Sequence, residues 1–345
     1  NLSNYLQIYK YNGDLIMLKI AQIGIGYWGP NLLRNLVANK KCKVKVVIEL
    51  DENRQNFVKE TYPGISVSCH LKDVLENKDI DAVVIATPVA THFDLAMQCL
   101  NAGKHVLVEK PMATTSDEVL EIEKLSNLSN LVAMVGHTFL FNSAVRYVKT
   151  LIDSDDLGDI RYIYSQRVNL GRIRSDVDAL WNLAPHDVSI IQYWLNDPEP
   201  TIVNRCGIDF VQKGIEDVVF MNIEYPNNIM ANIHVSWLDP HKIRRMTVVG
   251  SKKMVVYDDI AENKITIYDK GIDRMAHLGN HMDFDDPSTF TFRHRSGEVT
   301  IPNIKWIEPL KTEIEHFVDC IKNDTPCLTN ASHANKVVKI LEMGA

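Results

Sequence analysis

The sequence predicts two domains of different class: an α/β domain whose parallel sheet is covered on both faces by helices, then an α+β domain with a largely antiparallel open sheet. Three observations carry this. The 345 residues exceed what one hydrophobic core usually serves, at roughly 100 to 200 residues per domain. From Leu18 onward, short apolar runs alternate with amphipathic helical stretches. Past residue 150 the apolar period changes to two. The predicted division is an N-terminal extension over 1–16, a first domain over 17–142 and a second over 143–345. Asn1 to Ile16 match no periodic template, and Met17 opens a segment that behaves like a natural start.

In the first domain the strands are placed at Leu18 to Ile23, Lys43 to Ile48, Ala82 to Ala86, Val106 to Val108 and Val132 to Val135. Each is short, apolar and bounded by turn residues. Between them, Leu32, Leu33, Leu36 and Val37 share one helical face, as do Leu95, Ala96, Cys99 and Leu100. Thr91 is the expected N-cap of that second helix and Gly103 its stop. Thr115 and Glu118 have capping-box spacing at the head of a further helix.

In the second domain Ile229, Ala231, Ile233, Val235 and Trp237 alternate with Met230, Asn232, His234 and Ser236, a half-buried antiparallel strand. Asp217 to Tyr225 reads likewise. Met246 to Gly250 and Lys253 to Asp258 read as a hairpin turning at Gly250 and Ser251. Helices are placed at His186 to Leu195 and Glu308 to Lys322, an incomplete one at Val337 to Ala345, and a long irregular insertion at Asp269 to Phe290.

Composition narrows the function classes. With 46% apolar and 23% charged residues, disorder and collagen-like repeats are excluded. Lys plus Arg is 37 against 44 for Asp plus Glu, a net charge of -7 without long single-sign blocks, which argues against a nucleic-acid partner. The six cysteines form no CxxC pair and mostly sit in apolar segments, so they read as core residues of a reduced compartment, with no disulfide framework or zinc site expected. No apolar run approaches the roughly 20 residues of a membrane span. A cytoplasmic protein is expected.

Gly24, Gly26 and Gly29 in the run GIGYWG follow directly on the first strand and precede Pro30 and an amphipathic helix. That context separates a dinucleotide fingerprint from a chance match, and it makes the first domain a Rossmann domain. Gly24 allows the tight turn, Gly26 lets the backbone touch a pyrophosphate, and Gly29 lets helix and strand pack closely. Tyr27 and Trp28 belong to the same cofactor loop. The helix N-terminus faces the phosphates, and Pro30 in its first turn loses no needed hydrogen bond. Glu49 closes the second strand, where a carboxylate accepts from both ribose hydroxyls and repels a 2′-phosphate, so NAD is expected over NADP. Asp51 is placed to share that role, and Arg54 to weaken the exclusion of NADP.

The blocks GIGYWG, ATPVATH (Ala86 to His92), GKHVLVEKP (Gly103 to Pro111), GHTFLFN (Gly136 to Asn142) and NLAPHD (Asn182 to Asp187, with Trp181 before it) resemble, in order, the signature blocks of the glucose-fructose oxidoreductase and inositol dehydrogenase family, Gfo/Idh/MocA. The WNLAPHD block looks most like bacterial nucleotide-sugar 3-dehydrogenases. The resemblance implies that Thr87, Pro88 and His92 lie along the dinucleotide and that Glu109, Lys110 and Pro111 form a motif meeting both nicotinamide and substrate. It implies a cis Lys110–Pro111 bond. It also implies that Lys110 binds the reacting hydroxyl, that His186 acts as acid or base, and that the open sheet lines the substrate cleft and an oligomer interface, giving a homodimer or homotetramer. Relatives often carry Asp where this chain has Asn182, which puts a three-member relay in doubt.

The chemistry of the residues agrees. Hydride transfer from a secondary carbinol needs a group to take the hydroxyl proton, and imidazole titrates near working pH. A lysine cation complements a developing alkoxide, and near a cationic nicotinamide it is itself a possible base, so Lys110 and His186 both stand as base. Trp181 and Asn182 either line the sugar or pack. Arg167, Arg172 and Arg174 are placed in a polar loop, as clamps for a diphosphate or carboxylate or as solvated side chains. His277 and His281 have the spacing of two metal ligands, but Gly279 and Asn280 between them favour a turn, and no metal is expected. The expected activity is an NAD-dependent dehydrogenase acting at a secondary carbinol, C3, of a nucleotide-activated amino sugar or uronate. The alternatives are an inositol or polyol dehydrogenase and a non-catalytic NAD-sensing regulator.

Overall fold

A computed structural model describes residues 17–276 and 290–343. The extension over 1–16 and the His277/His281 pair lie outside the described residues. The chain forms two compact units interleaved in sequence. The first holds the described residues up to Glu109 with Lys124–Met134 and Ile314–Cys327. The second holds Lys110–Glu123, the described residues between Val135 and Glu313, and the segment from Leu328 onward.

The N-terminal part runs β1 (Leu18–Ile23), α1 (Gly29–Ala38), β2 (Cys42–Ile48), α2 (Glu52–Thr61), β3 (Ser66–Ser68), α3 (Lys72–Leu75), β4 (Ala82–Ile85), α4 (His92–Asn101), β5 (His105–Glu109), α5 (Ser116–Ser129) and β6 (Ala133–Gly136). These strands form one sheet in the order β3-β2-β1-β4-β5-β6. The pairs β1·β2, β1·β4, β2·β3 and β4·β5 are all parallel. The order reverses between β1 and β4, the switch point at which open α/β sheets take ligands at the carboxyl ends of their strands. Ile20, Ala21, Val47, Val83 and Val84 fill the core with Leu32, Leu33 and Leu36 of α1. Such continuous burial explains why these strands read as unbroken apolar runs. The short, polar β3 carried no such signal.

The remainder runs α6 (Ser143–Asp153), β7 (Ile160–Leu170), α7 (Ala179–Leu195), β8 (Ile202–Ile208), β9 (Val218–Tyr225), β10 (Ile229–Ser236), β11 (Leu238–Gly250), β12 (Met254–Asp258), β13 (Ile265–Ala276), β14 (Phe290–Thr300), α8 (Pro309–Asn323) and α9 (Ala331–Met343). The sheet order is β14-β13-β12-β11-β7-β10-β9-β8. Its pairs are antiparallel apart from β7·β10. One face, with Ile163, Val219, Met221, Ile223, Ala231, Ile233 and Val235, is buried together with Ile190, Ile191 and Trp194 of α7. Tyr162, Tyr164, Phe220 and Met230 project from the other face and are exposed.

Several local expectations need correction. Arg167 is not in a polar loop: it lies within β7, on the inward parity of Ile163 and Ser165, and is 5% exposed. The insertion begins as strand, since β13 continues to Ala276 and β14 starts at Phe290. Thr91 stands before α4 without capping it: its hydroxyl donates to the Pro88 carbonyl at 2.8 Å, because a turn of 3-10 helix over Val89–Thr91 precedes α4. The capping box is present, with Thr115 N donating to Glu118 Oε2 at 3.1 Å and Glu118 N to Thr115 Oγ1 at 3.2 Å. Cys69 and Cys206 are exposed rather than core residues. Among the described residues no helix is long and apolar enough to cross a membrane.

Candidate active site

In the first unit the glycine turn sits at the carboxyl end of β1. Gly24 has φ +93, and a Cβ there meets the Ala86 carbonyl oxygen at 2.6 Å. A Cβ on Gly29 meets the Gly24 carbonyl oxygen at 2.6 Å, so α1 approaches β1 only because both positions lack side chains. At Gly26 the nearest atom to a Cβ is Arg54 NH1 at 3.9 Å, which leaves the peptide edge clear for a phosphate. Gln22, buried in β1, donates through Nε2 to the carbonyls of Gly24 at 3.0 Å and Gly29 at 2.9 Å, pinning both ends of the turn. Tyr27 is 93% exposed and Trp28 39%.

Glu49 is buried at the end of β2. Its Oε2 accepts from Ile25 N at 2.6 Å, and its Oε1 from Leu50 N at 2.8 Å and Asp51 N at 3.0 Å. The carboxylate thus ties the glycine turn to the β2 end, and with about four acceptor sites it keeps capacity for a ribose hydroxyl. Asp51 instead caps α2, accepting from Arg54 N at 3.0 Å. Beyond β4, His92 is buried with Nε2 at 2.8 Å from the Thr87 carbonyl oxygen, and Thr87 Oγ1 lies 2.7 Å from Thr91 Oγ1. Those contacts fix the loop through the exposed Pro88. A tight turn at Gly24 and Gly29 with an open Gly26 between them, an anchored loop and a buried carboxylate at the second strand end fit a dinucleotide.

In the second unit a polar cluster surrounds the head of α7. Asp178 caps this helix, accepting from Trp181 N at 2.8 Å. Pro185 supplies no N–H to the carbonyl of Trp181, which interrupts the ladder beside the Asn182 carbonyl. Lys110 Nζ donates to that Asn182 carbonyl at 3.0 Å, and Asn182 Oδ1 accepts from Trp237 Nε1 at 3.3 Å. The Lys110–Pro111 bond is cis. His186, one turn on from Asn182, packs its ring edgewise on Phe139 with centroids 4.9 Å apart. Burial holds the His186 pKa well below the usual imidazole value, and the positive charges of Lys110 and Arg167, with His137 and Arg244, push it further down. The ring is therefore neutral at pH 7 and able to accept a proton.

Arg167 is engaged from within the fold. Its Nε and NH2 donate to both oxygens of buried Asp187 at 2.9–3.1 Å, and its guanidinium lies 4.7 Å from the Phe139 ring centroid. That fork-to-fork pair orients α7 next to His186. Arg174 is engaged too, by Asp176. Sequence reasoning missed Gln22, Asp187 and the histidine pair His137 and His333. Both histidines are buried, with ring centroids 5.2 Å apart, and His333 Nδ1 lies 2.8 Å from Asp197 Oδ1. A polar residue inside an apolar strand was the available signal for Gln22, as was a histidine within the GHTFLFN block for His137.

Comparison with known proteins identifies the two domains. Residues 18–137 match the model of an oxidoreductase family with an NAD-binding Rossmann fold, and residues 145–256 match the GFO/IDH/MocA C-terminal domain. A 4-carboxy-2-hydroxymuconate-6-semialdehyde dehydrogenase of a Sphingobium species is 32% identical over 51% of this chain and 58% of that protein. An inositol 2-dehydrogenase of Rhodococcus erythropolis is 28% identical over 86% of this chain and 84% of that protein. The chain spans about three fifths of the length of several curated relatives that it matches. A solved UDP-N-acetylglucosamine 3-dehydrogenase of Acidithiobacillus ferrooxidans superposes with a TM-score of 0.79 at 22% identity, covering 95% of this chain and 97% of that one, a likeness of fold. With both domain models matched in chain order and the glycine turn, Glu49 and the α7 cluster formed as described, the chain belongs to the Gfo/Idh/MocA oxidoreductase family and carries its NAD-binding Rossmann domain.

Proposed function

We propose that the protein is an NAD-dependent sugar dehydrogenase that moves hydride between nicotinamide and a secondary carbinol, C3 of a nucleotide-activated amino sugar or uronate. The observation that carries this is the Lys110 ammonium tethered to the Asn182 carbonyl, with its charge acting on a neutral His186. In this reading Lys110 binds the carbinol oxygen and stabilises the charge that develops on it, while His186 takes the hydroxyl proton. Bound NAD supplies the hydride acceptor. Glu49 sets the preference for NAD over NADP by meeting the ribose and repelling a 2′-phosphate. Asn182 acts by position, holding Lys110 through its backbone, while Trp181 lines the sugar.

A second reading, an inositol or polyol dehydrogenase, is favoured by the inositol 2-dehydrogenase relative that matches most of both chains. Lys110 and His186 serve either substrate, whereas a regulator that only senses NAD needs neither. We further propose a homodimer or homotetramer formed through the exposed Tyr162, Tyr164, Phe220 and Met230 face. The test is a reduced-cofactor absorbance assay across nucleotide sugars, free sugars and inositols. Turnover confined to nucleotide sugars supports the main reading. Turnover confined to inositols selects the second, and none with any carbinol, despite NAD binding, contradicts both.

A further inference from the structure

Away from the residues assigned above, the C-terminal half of α8 and the turn after it gather three ligand-type side chains in the first unit. His316 and Cys320 are one helical turn apart, on the same face. Asp324 at φ +50 ends the helix in the left-handed region, and Thr325 and Pro326 return the chain so that Cys327 comes back to that face. His316 Nε2 lies 3.4 Å from Cys320 Sγ, and the three ligand atoms all fall within 4.8 Å of one another.

We propose that His316, Cys320 and Cys327 form a binding site for a thiophilic divalent cation of the zinc class, with the fourth tetrahedral position left to water or a small solute. Metal–ligand bonds of about 2.3 Å to sulfur and 2.0–2.1 Å to nitrogen put tetrahedral ligand atoms about 3.6–3.8 Å apart, so the cluster closes on an ion with shifts of an ångström or less. Two thiolates with one imidazole select zinc, or cobalt in its place, over magnesium or calcium. Cys320 is buried while His316 and Cys327 are half-buried, which gives the site a dry floor and an entry path. The neighbouring Asp319 carboxylate is engaged by Lys41 at 2.6 Å. Loading forms two metal–sulfur bonds and one metal–nitrogen bond, releases the thiol protons to solvent and transfers no electrons.

The test is Co²⁺ titration of the full chain, kept reduced by a phosphine, followed by visible absorption and by back-titration with Zn²⁺. One equivalent should give a thiolate-to-cobalt charge-transfer band with intense tetrahedral ligand-field bands, and Zn²⁺ should abolish both. Cys327→Ser and His316→Ala, both at half-buried positions, should weaken binding by more than the about 10- to 100-fold cost of losing an outer-shell partner, with NAD affinity unchanged. If Cys320→Ser fails to fold, those two variants carry the result. Absence of the charge-transfer band in the reduced parent overturns the site, as does a band that survives both substitutions. A parent that forms only a Cys320–Cys327 disulfide in air and binds no Co²⁺ when reduced also overturns it, and identifies a redox pair instead.

Discussion

Lys110 Nζ is held 3.0 Å from the main-chain oxygen of Asn182, one helical turn before His186 on α7. A backbone carbonyl fixes the ammonium whatever the residue 182 side chain, so this geometry accommodates Asn or Asp there alike. Asn182→Asp should therefore leave turnover within a few fold of the parent, in contrast to loss of Lys110 itself. Steady-state kcat on the substrate found in the carbinol panel checks this.

The proton acceptor should titrate low. Burial, then the Lys110 and Arg167 charges, depress the His186 pKa, so the neutral base form persists below the ordinary histidine value of about 6.5. The rate should rise with pH on the acid side and level off before neutrality. Lys110→Met removes one of the opposing charges and should move that rise towards higher pH while lowering the plateau. The pH profile of kcat, with substrate saturating, reads both effects.

The same shifts make the fold acid-sensitive. His137 and His186 both have folded-state pKa values lowered by burial, so the unfolded chain binds more protons than the folded one as pH falls through about 6.5. Stability is fully present above that pH and is lost below it. Urea midpoints should fall between pH 7 and 5, and His137→Asn should flatten that slope.

Glu49 has two tasks that separate experimentally. Glu49→Ala should narrow the gap between NAD and NADP dissociation constants. It should also destabilise the first unit by about 1–3 kcal/mol, since the Ile25, Leu50 and Asp51 amides lose a charged acceptor. Calorimetric cofactor binding and urea unfolding measure the two effects, and equal affinities for NAD and NADP in the parent contradict the assignment.

Asp187→Asn leaves the Arg167 guanidinium buried without its anion and should cost about 3–5 kcal/mol, while leaving the NAD dissociation constant near that of the parent. Unfolding midpoints and cofactor titration report the two quantities.

The parallel sheet was legible because its strands are apolar on both faces, and the glycine turn because its spacing follows from backbone sterics at Gly24 and Gly29. The antiparallel strands β9 and β10 were legible from their alternation. Strand β7 was not, because Arg167 stands at an inward position where the pattern calls for an apolar side chain, and only its pairing with Asp187 on a distant helix makes that burial tolerable. Of the cluster of His137, His333 and Asp197 only His137 stood out locally, within its sequence block, because the three members meet through tertiary packing.

The most direct measurement is single-turnover hydride transfer to NAD across pH, comparing the parent with His186→Ala at saturating substrate. The variant should fold, bind NAD as the parent does, slow by about 10²-fold or more and lose the acid-side rise in rate. A variant that keeps both the parent rate and its pH profile would show that His186 is structural, and would pass the role of base to Lys110.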